Sequence, residues 1–196
     1  MKVIGITGSI GTGKSLASRF FMEKGYTVLD ADIINRELLK EEKVIKEINQ
    51  AIFGIDSNVL DKNNLKKQIF EDDYKRYLLE SLTHPLIRKK MEDYIDSSDE
   101  DMIFIDVPLL YEASYDEFCD YVIVMYASKK TQIERIKKRD HLEENEILKI
   151  INAQFPLHDK MIKADYVINN DLDKENTLKQ LATWLERYRR EFDGDL

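Results

Sequence analysis

Five short apolar runs punctuate the chain, at residues 2–7, 26–30, 102–107, 121–126 and 166–168. Each is rich in Val and Ile and separated from the next by polar stretches of helical spacing. Runs apolar at nearly every position suit strands covered on both faces. The alternation therefore predicts a parallel sheet with helices above and below it, and most connections are long enough for right-handed crossovers. Residues 16–24 read as the first turns of a helix. One interval breaks the rhythm. Between the second and third runs, Leu65, Ile69, Leu78, Leu82, Leu86 and Ile87 recur at helical spacing with no strand pattern among them. This predicts an inserted helical subdomain over about 32–96. Over 173–192, Leu178, Leu181, Ala182, Leu185 and Tyr188 share one face, an amphipathic helix that closes the sheet.

The link between the first strand and first helix is the most specific segment. Gly8-Ser9-Ile10-Gly11-Thr12-Gly13-Lys14-Ser15 matches G-x-x-x-x-G-K-[ST] without a mismatch, in the order strand, loop, helix. Gly8, Gly11 and Gly13 permit backbone conformations that a Cβ forbids. Amide N–H groups then turn inward to phosphate oxygens, and the helix N-terminus adds partial positive charge. Lys14 reaches the β- and γ-phosphates, and the Ser15 hydroxyl ligates Mg²⁺. Ile10, Thr12 and Leu16 complete the expected ATP-binding stretch. A glycine-rich turn with an exposed lysine is the plainer reading; the intact motif in its proper flanks disfavours it. The chain is expected to bind a nucleoside triphosphate.

Composition narrows the partners. A length of 196 residues suits one domain with an insertion, and 43% hydrophobic residues suffice for a core. No stretch approaches the roughly 18 apolar residues of a membrane span. The phosphate loop occupies the apolar start, so no export signal is expected and the expected location is cytoplasmic. The single cysteine, Cys119, rules out an internal disulfide and reads as a small buried hydrophobe. A net charge of −8 argues against a nucleic-acid partner. Two segments are locally basic: 62–90 has eight Lys/Arg against four Asp/Glu, and 128–139 has six against one. That pattern suits a small anionic ligand, although any one lysine reads equally as part of a solvated face. A monomer is expected.

Ligands of open parallel sheets bind beyond the carboxyl ends of the strands. Asp30-Ala31-Asp32 follows the second strand, whose end is expected beside the phosphate loop. Either aspartate could orient an attacking hydroxyl, or Asp32 could cap the next helix; position alone leaves these level. Asp106 ends the third strand, where it could hold a magnesium-bound water or make a local turn bond. Arg135 and Arg139 lie four apart and share a helix face. They read as a pair reaching over phosphates, or as ordinary surface charge. His84-Pro85 lies in the basic insertion, where a histidine is structural or meets a phosphate. There is no N-K-x-D, and no D-x-x-G after the third strand, so a GTPase is not expected. The plan is that of a small-metabolite kinase. A nucleotide or nucleoside kinase, and a non-catalytic nucleotide switch, are the alternatives.

In these residues the chain resembles one family, dephospho-coenzyme A kinase, over about 2–170. The resemblance is carried in order by I-G-I-T-G-S-I-G-T-G-K-S, V-L-D-A-D at 28–32, Phe53-Gly54, and L-D-K-N-N-L-K-K-Q-I-F ending at Phe70. It continues through L-E-S-L-T-H-P-L-I at 79–87, P-L-L-Y-E at 108–112, R-I-K-K-R at 135–139, Gln154 and A-D-Y-V-I-N-N at 164–170. It implies a P-loop NTPase fold of the nucleoside-monophosphate-kinase type: three layers, a five-stranded parallel sheet, the helical acceptor insertion and a lid over about 135–160. It implies transfer of the ATP γ-phosphate to the ribose 3′-hydroxyl of dephospho-coenzyme A. Asp32 would act on that hydroxyl, and Lys14 and Arg139 would stabilise phosphoryl charge. Asn170 would lie near the adenine, and His84, Pro108 and Leu109 would line the acceptor side. Lys62 stands where the family usually has arginine, keeping charge but losing a bidentate fork. Leu16 stands where threonine is frequent; Ser15 is retained. The family does not require an acid at the Asp106 position.

Overall fold

The structure is a computed structural model and describes residues 1–193. Five strands form it: β1 (Lys2–Thr7), β2 (Thr27–Asp30), β3 (Met102–Asp106), β4 (Tyr121–Tyr126) and β5 (Tyr166–Asn169). They make one parallel sheet in the order β2-β3-β1-β4-β5. β1 is central. Ile6 registers with Asp106 on one side, and Thr7 with Val124 on the other. β3 thus lies between β2 and β1. The long helical excursion after β2 lets the chain return to the sheet inside β2 rather than outside β1.

Period-two alternation divides the sheet's side chains between two faces. Ile4, Ile6, Phe104, Ile123, Met125 and Ile168 share one buried cluster with helices α1 (Lys14–Glu23) and α9 (Lys174–Asp193). Phe21 of α1 stacks on Phe104 with centroids 3.9 Å apart, and Trp184 of α9 meets Phe21 edge-on at 5.8 Å. Leu181, Leu185 and Tyr188 of the expected closing helix are buried. Trp184, absent from that list, is buried with them. The alternate residues Val3, Ile103, Ile105, Val122 and Val124 are buried on the other side. There α8 (Leu157–Lys163) packs on β4. The remaining helices of this half are α6 (Lys129–Asp140) and α7 (Glu144–Asn152). No described helix is long and apolar enough to cross a membrane.

Contacts divide the chain into two units: Met1–Val28 with the chain from Glu100 onward, and Leu29–Asp99. The second contains α2 (Ala31–Leu38), α3 (Glu42–Phe53), α4 (Lys62–Glu71) and the long α5 (Asp73–Ser97), against which the other three pack. Asp61 and Asp72 cap α4 and α5 by accepting from backbone N–H groups of the first turn. Buried Asn49 donates to the carbonyls of Ser57 and Val59, pinning the loop before α4. Of the six apolar residues read from spacing, Leu65 and Ile87 are buried and the rest half-buried.

Cys119 is half-buried rather than fully buried, and its thiol donates to the Tyr115 carbonyl at 3.4 Å. Burial, with Asp116 as the next cause, pushes the thiol up to about 12, so the thiolate is scarce near neutral pH.

Candidate active site

The phosphate loop holds its shape through its own bonds. Thr12 donates twice to the Ser9 carbonyl, from N–H at 3.2 Å and from Oγ1 at 2.7 Å. The turn into α1 passes through Gly13, whose φ of 95° is left-handed. A Cβ there would collide with Asn170 Nδ2. Gly11 (φ 79°) lies against α6, where a Cβ would come within 3.1 Å of the Gln132 backbone. Both glycines thus satisfy a backbone angle and a close approach together. Lys14 opens α1 half-buried, Ser15 is exposed beside it, and the first turn contains no acidic residue. The free N–H groups and dipole of such a turn favour an anion.

Three side chains from distant segments brace this loop. Asn170 follows β5 and is buried. Its Nδ2 donates to the Thr12 carbonyl at 2.8 Å, and its Oδ1 accepts from Thr177 Oγ1 at 2.8 Å. The residue expected near the adenine therefore has its amide engaged by the loop. Arg135 donates to the carbonyls of Gly11 at 3.3 Å and Asn170 at 2.6 Å. Gln154 Oε1 accepts from Ser9 Oγ and Ile10 N–H, both at 2.8 Å. We predict that Asn170→Ala lowers Tm by about 2–8 °C, from the loss of two buried hydrogen bonds in a chain of this size. ADP binding should weaken several-fold. Calorimetry of unfolding and of ADP binding checks both.

The two arginines of α6 separate. Arg139 pairs with Asp140 at two points, 2.8 and 2.7 Å, at the exposed end of the helix. Only Arg135 reaches the loop; the shared face read from their spacing leads to different partners. The α6–α7 turn is closed by a capping box, Glu143 with Glu146, and by Lys137 to Glu144 at 2.9 Å.

Asp106 is buried at the end of β3, on the face towards α1. Its Oδ2 accepts from Ser18 Oγ at 2.6 Å. This bond ties strand to helix, unlike the local turn bond considered from sequence. Pro108 and Leu109 follow, half-buried. The Pro108 carbonyl accepts from Thr7 Oγ1 at 3.3 Å and from Lys160 Nζ at 2.9 Å.

In the helical unit, Asp30 caps α2 by accepting from the Ile33 N–H at 3.0 Å. Asp32 lies in the first turn and is exposed. Capping therefore belongs to Asp30. His84 is half-buried in α5 one residue before Pro85. Proline lacks the N–H that would meet the Ser81 carbonyl, so the helix turn bearing His84 is without that one intrahelical bond.

The family model for dephospho-CoA kinase matches residues 2–176. A dephospho-CoA kinase of Listeria monocytogenes is 36% identical over 195 residues, covering 95% of this chain and 97% of the relative. A crystal structure from Thermus thermophilus superposes with a TM-score of 0.79 at 28% identity, covering 95% of this chain and 97% of the other. Dephospho-CoA kinase from Campylobacter jejuni shares the fold, with a TM-score of 0.70 at 23% identity over 99% and 98% of the two chains.

Proposed function

Since the chain belongs to the dephospho-CoA kinase family, we propose that it carries the γ-phosphate of ATP to the ribose 3′-hydroxyl of dephospho-coenzyme A, releasing ADP and coenzyme A. It is an ATP-dependent kinase. The observation that carries the reading is the braced phosphate loop, within a match that spans nearly the whole chain. Phosphoryl transfer asks little covalent work of the protein; it asks for positioned oxygens and neutralised charge.

The residues divide that work. The loop from Gly8 to Ser15 cradles the phosphates through amides other than those of Ile10 and Thr12, which are bonded within the protein, and Lys14 places its ammonium on the β- and γ-oxygens. Arg139 exchanges Asp140 for phosphate once nucleotide is bound, while Arg135 remains on the loop. Asn170 serves the nucleotide through the loop it holds. Asp32 accepts or orients the proton of the acceptor hydroxyl. His84, Pro108 and Leu109 flank the acceptor. The cradle fits a magnesium nucleotide: Ser15 is exposed at the head of α1, where one protein oxygen can join phosphate oxygens and water. Mg²⁺, when bound, neutralises charge on the phosphate oxygens. The working form is a cytoplasmic monomer using small-molecule substrates.

The test is ADP release with ATP and Mg²⁺ across a panel of acceptors. Release that requires dephospho-coenzyme A supports the reading. Release driven instead by adenosine, AMP or another nucleoside overturns it in favour of a nucleotide or nucleoside kinase.

A further inference from the structure

The segment joining α7 to α8 is fastened at three points. Gln154 Oε1 accepts from Ser9 Oγ and from Ile10 N–H, each at 2.8 Å. The next residue, Phe155, donates its N–H to Glu112 Oε1 at 3.1 Å. Lys160, wholly buried, lies 2.8 and 3.1 Å from the two oxygens of Glu112 and 2.9 Å from the Pro108 carbonyl. Burial and the charge of Lys14 push the pKa of Lys160 down, while Glu112 pulls it up. A buried ammonium without its carboxylate is costly. The pair therefore keeps the turn after β3 and the limb from Gln154 to Lys160 together.

This matters because of what Gln154 holds. Ser9 is buried, and Ile10 gives its own N–H to Gln154 immediately before Gly11, next to the amides that face phosphate. The loop's second half is set by the Gly13 turn and, from outside, by Asn170 and Arg135. Its first half is bonded within the loop through Thr12, whose N–H and Oγ1 both donate to the Ser9 carbonyl. The Ile10 amide and the Ser9 hydroxyl are oriented by Gln154.

We propose that Gln154 is a positioning residue for phosphoryl transfer: it fixes Ser9 and Ile10 of the phosphate loop from the limb that returns from α7, and the Glu112–Lys160 ion pair, its ammonium wholly buried, holds that limb in place. Local movement of the limb is thereby transmitted to the phosphate cradle. The proposal rests on the kinase reading for its kinetic readout alone.

Gln154→Met keeps length and bulk but cannot accept two hydrogen bonds. The Kd for ADP and the KM for ATP should both rise roughly five- to thirtyfold, while the KM for dephospho-coenzyme A stays within about twofold. Ser9→Ala, a milder change, should raise the same two constants about two- to fivefold, and should add nothing in the Gln154→Met background. That cycle keeps the proposal testable if one variant folds poorly. Glu112→Gln should move the ATP constants in the same direction. Unchanged ADP and ATP constants in Gln154→Met would overturn the proposal. So would lower kcat or Tm with both KM values unchanged, because that marks a purely structural residue. ADP binding needs no acceptor. A parent protein that binds ADP without turnover therefore indicts the kinase reading, while a variant that binds like the parent indicts Gln154.

Discussion

Replacing Asp32 by Asn should lower kcat by about 10²- to 10⁴-fold and leave ADP affinity within about twofold of the parent. The magnitude is that of losing a general base at constant shape. The control lies two residues away. Asp30 caps α2, and asparagine caps as well as aspartate, so Asp30→Asn should keep both Tm and turnover near the parent's. Position in the sequence leaves the two aspartates level; the Asp30 bond to the Ile33 amide separates them. Steady-state kinetics with saturating substrates, paired with calorimetric ADP titration, gives the comparison. Loss of turnover in Asp30→Asn with an active Asp32→Asn would reverse the assignment.

The second large effect is at Lys14. Lys14→Ala should lower kcat/KM for ATP by about 10²- to 10³-fold, as expected for removing one preorganised donor from developing charge. Both kcat and KM should change, because the ammonium meets phosphate before and during transfer. Lys14→Arg should not restore activity: a planar fork on a longer side chain cannot occupy a place shaped for a point charge at the first residue of α1. Unfolding temperature should change little, since Lys14 is only half-buried. Unaltered kinetics in Lys14→Ala would mean that the loop does not serve catalysis.

Much of this was legible in the chain because the relevant constraints are local. A strand covered on both faces must be apolar at nearly every position, so the runs that become β1 and β4 stand out at their true limits. A phosphate loop needs glycine where a Cβ would strike something, and Gly11 and Gly13 meet that demand. Other features depend on partners far away in sequence. Asn170 meets Thr12 across 158 residues, and Gln154 meets Ser9 across 145. No periodicity or motif physics joins such pairs. Lys160 carries no local mark of its place: it is wholly buried against Glu112 and Pro108, which come from another segment. Sheet order was likewise hidden. Apolar runs show that strands exist, but not that β3 enters between β2 and β1. The spacing of Arg135 and Arg139 gave a common face without showing that Asp140 would hold one of them.

The most direct measurement identifies the product rather than the rate. Purified protein is incubated with ATP, Mg²⁺ and dephospho-coenzyme A, and the acceptor is examined by mass spectrometry and phosphorus NMR. The account predicts one product, heavier by a single phosphoryl group, with a new monoester on the ribose 3′-oxygen and one ADP formed per product. Phosphorylation elsewhere on the acceptor, or ADP released while dephospho-coenzyme A is recovered unchanged, would contradict it.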